Sequence, residues 1–212
     1  MPERRERRPS AARVAEIVDA ATRLFAEHGY DGVGTRDIAA AAGLNISTVH
    51  HHVGSKQDLY ERVLAAAHAM EAAALAPLAH RLDGGPLRDR DELRSLLHDT
   101  IDRHVDLLDE HPEIAFLWTR RWLEARGVDD PYVQRFSVPL YETVLRCLAR
   151  ARRAGPVSGN ASQDRLAVRG FTWLLYGWFT SGPLDAPAQR RRALTQLRTL
   201  LHGYADHALG LE

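Results

Sequence analysis

The sequence has one cysteine, one lysine and two methionines among its 212 residues, and it carries no net charge. A single cysteine, Cys147, excludes an internal disulfide and therefore the disulfide frameworks of small secreted domains. Because 28 basic and 28 acidic residues cancel, a surface that attracts a polyanion must be local. No run approaches the roughly 20 consecutive apolar residues that span a bilayer. We therefore expect no membrane association.

The N-terminal residues also lack the apolar run that follows the basic residues of a signal peptide. Arginines occupy positions 4, 5, 7 and 8, and polar and small residues follow them. This pattern predicts a cytoplasmic protein whose residues 1–9 form a basic, flexible arm.

The sequence is rich in helical periodicity. Apolar residues recur at intervals of three and four, and no segment shows convincing alternation of the kind found in strands. Glycine, proline and capping residues divide the chain into about nine predicted helices. One long helix is predicted from Ser55 towards Pro77, with a capping-box pattern formed by Ser55 and Asp58. Its apolar stripe comprises Leu59, Val63, Ala67, Met70 and Ala74. We expect an all-α fold.

Two short predicted helices near the N-terminus are joined by a glycine. Thr35 and Asn45 are suited to cap them, and Gly43 separates them. Such a pair is the helix-turn-helix unit, whose second helix enters the major groove of DNA. A more specific pattern surrounds it and comprises, in chain order, Leu24–Tyr30, Thr35–Ala39, Ala42–Leu44, Ser47–Val49 and Ser55–Leu59.

This pattern, over about residues 11 to 65, resembles the N-terminal domain of the TetR family of transcriptional regulators. The resemblance implies a three-helix DNA-binding domain at 10–56 and a helical ligand-binding and dimerisation domain at 57–212. It further implies a homodimeric repressor that binds a palindromic operator in double-stranded DNA and is released by a small-molecule effector. An activator of the same fold is the alternative. Neither a cofactor nor a metal is implied.

The resemblance also assigns roles to residues of the helix-turn-helix. Thr35 and Lys56, each at a helix N-terminus, would hold phosphates, because free N–H groups and the helix dipole favour an anion there. Arg36 and the outward residues of the second short helix would contact base edges. The predicted DNA-binding residues are Thr35, Arg36, Asn45, Ile46, Ser47, Thr48, His50, His51, His52 and Lys56.

The three consecutive histidines depart from the family pattern. Many relatives have a Tyr-x-Tyr-Phe run where this chain has His50, His51, His52 and Val53, so an imidazole would replace the usual tyrosine contact with phosphate. Three successive helical residues point about 100° apart and cannot surround one metal ion. The basic arm at 1–9 has two interpretations, a contact with the minor groove or phosphates and a solubilising disordered tail.

The segment 162–180 is apolar nearly all round, which predicts burial in a bundle or an interface. In the family, the last two long helices pair with those of a second subunit, and the resemblance places them at about 162–180 and 187–209. An intramolecular core at the same positions is the alternative. The predicted dimer-interface residues are Leu166, Gly170, Trp173, Gly177, Leu194, Leu197, Leu201 and Tyr204.

Aromatic residues accompany one arginine on the predicted helix 112–126. Arg121 could bind a ligand carboxylate, pair with Glu142 or lay its stem over the core. The first interpretation predicts a mostly apolar, acidic effector. His104, in an apolar stripe, is either a core histidine or a ligand contact. The predicted ligand-binding residues are Met70, His104, Trp118, Arg121, Trp122, Phe171 and Tyr176.

Two features could instead belong to an enzyme. The adjacent pair His98 and Asp99 resembles that of helical metal-dependent phosphohydrolases, but the two side chains face different sides of a helix and lack further histidine ligands. Cys147 lies in an apolar helical pattern, which does not suit thiol chemistry. We therefore expect no catalytic site.

Overall fold

A computed structural model describes residues 10–83, 89–125, 129–154, 159–181 and 189–212. Within these ranges the chain is all-helical, as predicted, with ten α-helices and a π-helical turn at Val133–Ser137. The predicted basic arm at 1–9 lies outside the described residues. The helices are α1 Ser10–His28, α2 Thr35–Ala41, α3 Ile46–Val53, α4 Lys56–Ala74, α5 Ala76–Asp83, α6 Arg90–Glu110, α7 Pro112–Glu124, α8 Val138–Ala154, α9 Ala161–Thr180 and α10 Arg190–Leu209.

The long helix predicted from Ser55 towards Pro77 is two helices. α4 ends at Ala74, and α5 begins at Ala76 with Pro77 in its first turn. Proline has no N–H to donate, and a first turn has no carbonyl partner to offer it, so Pro77 begins a helix as readily as it ends one. This is why the sequence predicts about nine helices and the described ranges contain ten.

Contacts divide the chain into two compact units, Met1–Ala67 and His68–Glu212. In the first unit, α1 packs against α2 and α3. Gly43 occupies the turn between α2 and α3 with a φ of +64°, a conformation that residues with a Cβ rarely adopt. The largest buried side chains of this unit are Ile17, Phe25, Ile38, Leu59 and Leu64.

The second unit is a bundle built on α6, α7, α9 and α10, with α5 and α8 packed beside them. α7 packs against α9, and α10 packs against both α6 and α9. One cluster of its core comprises Leu75, Leu78, Leu93, Leu97, Cys147, Leu148, Ala151, Ala167, Leu209 and Leu211. In the described part of the chain, every helix is too short or too polar to cross a membrane.

Candidate nucleic-acid interface and effector cavity

The start of α3 carries short polar side chains held by a cap. The Oδ1 atom of Asn45 accepts hydrogen bonds from the backbone N–H of Thr48 at 2.7 Å and from the Ser47 hydroxyl at 2.8 Å. Asn45 is therefore the N-cap of α3, as the sequence predicts. Ile46 and Ser47 are exposed, and Thr48 is half-buried. The cap fixes the direction in which these residues leave the helix.

The start of α2 differs from the prediction. Its N-cap is Gly34 rather than Thr35, because the backbone N–H of Gly34 donates to the Asp37 carboxylate at 2.8 Å. Thr35 is the first helical residue and is half-buried, and Arg36 beside it is exposed. Both therefore belong to the first turn, where backbone N–H groups have no carbonyl partner within the helix.

α4 starts at Lys56 behind the predicted capping box. The N–H of Ser55 donates to the Asp58 carboxylate at 2.8 Å, and the N–H of Asp58 donates to the Ser55 hydroxyl at 3.1 Å. Hydrogen bonds from the side chain and backbone of Ser55 lower the pKa of Asp58. The Lys56 ammonium lies 4.2 Å from the centroid of the Tyr30 ring, a cation–π contact that positions the charge at the helix start.

The three histidines of α3 lie in different surroundings. His50 donates from Nδ1 to the Gly54 carbonyl at 3.0 Å. His51 is exposed and His52 half-buried, with their ring centroids 5.2 Å apart. Among the described residues, no group of three or more His, Cys, Asp or Glu side chains is arranged to hold a metal ion. His50 and His51 are thus both exposed, and His50 is held by its hydrogen bond to the Gly54 carbonyl.

The second unit contains a cavity lined by α6, α7, α8, α9 and α10, together with Glu71, Leu75 and Leu78. The space that the centre of a water molecule can reach inside it is about 130 Å³. Five predicted ligand-binding residues line it, namely His104, Trp118, Trp122, Phe171 and Tyr176. The lining also includes Tyr204, which was predicted for the dimer interface, and polar residues that the sequence did not single out, namely Glu71, Thr100, Ser137, Tyr141 and Thr172. The lining is therefore mainly apolar and aromatic, with a few polar groups.

Glu71 is the polar residue of the cavity that sequence reasoning missed. Its side chain is 1% exposed, and its Oε2 atom accepts a hydrogen bond from the indole Nε1 of Trp118 at 2.6 Å. Its Oε1 atom accepts one from the Tyr176 hydroxyl. Burial raises the pKa of Glu71 to about 7, and these two donors oppose the rise. Near pH 7 the carboxyl therefore exists in both protonation states.

A signal for Glu71 exists in the helical spacing of α4. Val63, Ala67 and Glu71 follow one another at intervals of four, and all three are buried. The predicted stripe continued instead through Met70, which is half-buried and does not line the cavity. A carboxylate on the buried face, where an apolar residue is expected, was the overlooked sign of a polar site.

Arg121 also lies outside the cavity lining. Its Nη2 atom donates to the Asp130 carboxylate at 2.7 Å, and Glu124 lies 3.8 Å from Nη1. The partner within the chain is thus Asp130 rather than Glu142, and the position of Arg121 outside the lining removes the reason for expecting an acidic effector. Asp130 additionally accepts the N–H groups of two following residues at 3.0 and 3.1 Å, so the pair anchors the start of the next helical segment.

Several predicted interface residues are buried within a single chain. Leu194, Leu197 and Leu201 are at most 8% exposed. A Cβ on Gly170 would lie 2.3 Å from the hydroxyl of Tyr204, which itself donates to the Ala167 carbonyl at 3.1 Å. Leu194, Leu197 and Leu201 therefore belong to the intramolecular core that was the alternative, which corrects their assignment to the dimer interface. Gly170 and Tyr204 are half-buried and pack against each other within the chain.

The other three predicted interface residues remain accessible. Leu166 is 72% exposed and Trp173 is 40% exposed. A Cβ on Gly177 would meet nothing within 4 Å, and the same holds for Gly203 on α10. Leu174 and Leu200 are exposed as well. Apolar and small residues thus form an open surface on α9 and α10.

The residues of the enzyme alternative are engaged elsewhere. His98 pairs through Nε2 with Asp206 at 2.9 Å, whereas Asp99 pairs with Arg103 at 3.0 Å. The two neighbours therefore point to different partners. Burial raises the pKa of the Cys147 thiol to about 11, so its reactive thiolate is scarce at neutral pH.

Comparison with known proteins identifies the N-terminal segment. Residues 17–63 match the family described as "Bacterial regulatory proteins, tetR family". The chain is similar to the HTH-type transcriptional repressor AcnR of Corynebacterium glutamicum, with 42% identity over 45 residues, 21% of this chain and 24% of AcnR. It is also similar to the HTH-type transcriptional dual regulator CecR of Shigella flexneri, with 28% identity over 139 residues, 63% of this chain and 62% of CecR.

Solved structures share the fold over most of the chain. A TetR-like transcriptional regulator from Rhodococcus sp. RHA1 superposes with a TM-score of 0.68 at 18% identity, covering 94% of this chain and 96% of that one. Sequence similarity is more local, since the chain spans about a quarter of the length of AcnR in the match above.

Proposed function

We propose that this chain, whose residues 17–63 match the tetR family of bacterial regulatory proteins, is a member of that family and a cytoplasmic repressor without catalytic activity. It binds a palindromic DNA operator as a homodimer and is released when a small, mostly apolar ligand occupies the cavity. The observation that carries the proposal is the match of residues 17–63 to a family of DNA-binding regulators. The name of AcnR supports repression rather than activation.

The chemistry of the helix starts supports DNA binding. Lys56 brings a cation, and Thr35 brings a hydroxyl, to the first turns of α4 and α2, where the helix dipole already attracts phosphate. Arg36 is exposed, and an arginine can donate two hydrogen bonds to a guanine edge. Ile46, Ser47 and the half-buried Thr48 offer apolar and hydroxyl contacts to bases from α3.

The open surface on α9 and α10 supports the homodimer. Leu166, Trp173 and Leu200 present large apolar side chains to solvent, and the small residues Gly177 and Gly203 allow another helix to approach closely. Two copies related by a two-fold axis would bury this surface. Binding to two successive turns on one face of DNA would require their α3 helices to lie about 34 Å apart, and the two-fold symmetry predicts a palindromic operator.

One helix supports communication between ligand and DNA. α4 contains both Lys56, the proposed phosphate contact, and Glu71, which lines the cavity. A ligand that binds better to the DNA-free arrangement of this helix would shift the population towards it and release the operator.

The experiment is selection of bound duplexes from a random DNA library, followed by salt titration of the selected duplex. We expect a palindrome. Lys56→Ala should weaken binding and reduce the slope of log K against log salt by about one per subunit, because one phosphate contact is lost. Arg23→Ala is the matched control, since Arg23 is an exposed α1 cation paired with Asp19. Absence of any enriched sequence at low salt would contradict the proposal.

A further inference from the structure

The charged groups around the cavity are unevenly distributed. Among the described lining residues, Glu71 is the only carboxyl group, and neither lysine nor arginine occurs. Arg121 lies outside the lining and is paired with Asp130. An anionic ligand would therefore meet a carboxylate without a counter-charge in a medium of low dielectric constant, where like charges repel strongly.

Glu71 retains capacity to accept hydrogen bonds. Each of its oxygens accepts one bond, from Trp118 and Tyr176 respectively, whereas each oxygen of an ionised carboxylate offers about two acceptor sites. A donor group on a ligand can therefore bind without displacing either protein donor.

His104 offers a second acceptor. Its Nδ1 atom donates to the Thr100 carbonyl at 3.2 Å, and burial lowers the pKa of the ring, which favours the neutral form. A neutral imidazole that donates from Nδ1 keeps Nε2 as an acceptor. Glu71 and His104 thus both offer acceptor atoms to a ligand that carries a hydrogen-bond donor.

We propose that the effector of this regulator is a compact apolar amine whose ammonium group binds the Glu71 carboxylate, while its hydrocarbon part fills the aromatic remainder of the cavity. The inference rests on the proposed function in taking the cavity as the effector site. A protonated amine is preferred over a neutral donor because a charge-assisted hydrogen bond is about twice as strong as a neutral one.

The size of the cavity limits the hydrocarbon part. Its volume of about 130 Å³ is close to that of an engineered apolar cavity of about 150 Å³ that binds benzene. One ring with a short chain is therefore suitable as a probe. Benzylamine, benzyl alcohol and benzoate share this skeleton and differ in the charge of the end group.

The pH dependence of binding identifies the group responsible. Four titratable side chains accompany Glu71 in the lining, namely His104 on α6, Tyr141 on α8, Tyr176 on α9 and Tyr204 on α10, whose hydroxyl donates to the Ala167 carbonyl. Burial raises the pKa of Tyr176 and Tyr141 and lowers that of His104, so these three are largely neutral at pH 8. Only Glu71 gains charge between pH 6 and pH 8, and the affinity for the amine should rise over this interval.

The experiment is calorimetric titration of the full chain with the three probes at pH 6 and pH 8. At pH 8 we expect the amine to bind about tenfold more tightly than the alcohol, as one charge-assisted hydrogen bond allows, and the acid to bind least. Glu71→Gln should remove the preference for the amine and its pH dependence. Glu124→Gln, which changes an exposed glutamate of α7, should retain both.

Two results would overturn the inference. One is binding of the acid at least as tight as that of the amine, and the other is failure of all three probes to bind. If the Glu71→Gln variant does not fold, the order of the three probes by affinity for the unchanged chain still tests the inference. Binding of the selected operator, measured without any probe, tests the proposed function separately, so either idea can fail alone.

Discussion

The two units of this molecule differ in where the polar groups of their candidate sites lie. In the first unit, the capping hydrogen bonds join residues three apart, as between Asn45 and Thr48, and the groups lie at the surface. In the second, the carboxyl of Glu71 is buried and receives donors from Trp118 and Tyr176, which are 47 and 105 residues away. The polar groups at the surface of the first unit can contact a partner in solution. The buried carboxyl of the second unit can contact only a molecule that enters the cavity.

Among the described residues, the second unit exposes more large apolar side chains than the first. Ile46 is the large exposed hydrophobic residue recorded for the first unit, whereas the second exposes Phe116, Leu123, Leu166, Trp173, Leu174 and Leu200. A polar exterior suits a polyanion, and an apolar one suits another protein surface. The comparison therefore predicts that substitutions in the first unit change DNA binding, and that those in the second change assembly and stability.

The largest expected effect is on assembly. Leu166→Glu should weaken the dimer at least about a hundredfold, because a two-fold interface loses two buried leucines, each contributing about 1.5 kcal/mol or more. Analytical ultracentrifugation over a dilution series measures this change. Leu123→Glu is the matched control, since Leu123 on α7 is 73% exposed and Leu166 is 72% exposed. An equal effect of both substitutions would mean that the α9 surface has no special role.

The next effect is on stability and comes from the buried carboxyl. Because the folded-state pKa of Glu71 is raised to about 7 from an ordinary 4.5, the folded state holds its proton while the unfolded state ionises. Its contribution to stability should therefore fall by about 2.5 kcal/mol between pH 5 and pH 8. The Glu71→Gln variant should not lose this stability, because glutamine does not ionise.

Urea unfolding of both proteins at pH 5 and pH 8, at one protein concentration, measures the difference. The relevant quantity is the change with pH in the parent chain minus the change in Glu71→Gln, because the other titrating groups are common to both. A difference near zero would mean that the carboxyl is solvated in the folded protein, and the contrast between the two units would lose its main support.

The same contrast explains what the sequence could predict. The helix-turn-helix depends on signals within a few residues, such as the Ser55 and Asp58 capping box and the glycine at position 43, and these predictions are confirmed by the structure. The all-α fold follows from periodicity for the same reason. The shift of the α2 cap from Thr35 to Gly34 is an error of one residue, since Asp37 accepts the N–H of Gly34, a glycine with no capping side chain to reveal it.

The second unit was predictable only in part, because its polar contacts join distant segments. Amphipathic spacing placed Trp118, Trp122 and Phe171 inside, and they line the cavity. Spacing alone could not say whether Tyr204 packs against its own chain or a second copy. It also could not reveal that Asp130, beyond the end of α7, pairs with Arg121. Both questions depend on tertiary packing.

In the first unit, Arg36→Ala should weaken operator binding by about 2 kcal/mol, roughly thirtyfold, and relax the preference at one base position. The Arg36→Ala variant should have the same free energy of unfolding as the parent chain, because the Arg36 side chain is exposed. Repeating the duplex selection with the variant measures both effects. A uniform loss of affinity with all base preferences retained would instead assign Arg36 to a phosphate.

The smallest expected effect separates the two roles of Asn45. As the N-cap of α3 it accepts the Thr48 N–H, so Asn45→Ala should cost about 1 kcal/mol of unfolding free energy, whereas Asn45→Ser should cost little because serine also caps well. If Asn45 contacts a base, both substitutions would alter the preferred base at one operator position. Thermal unfolding and duplex selection with the two variants distinguish these outcomes. Since Oδ1 already accepts two bonds within the chain, we expect both variants to keep the operator sequence, and only the alanine variant to unfold earlier.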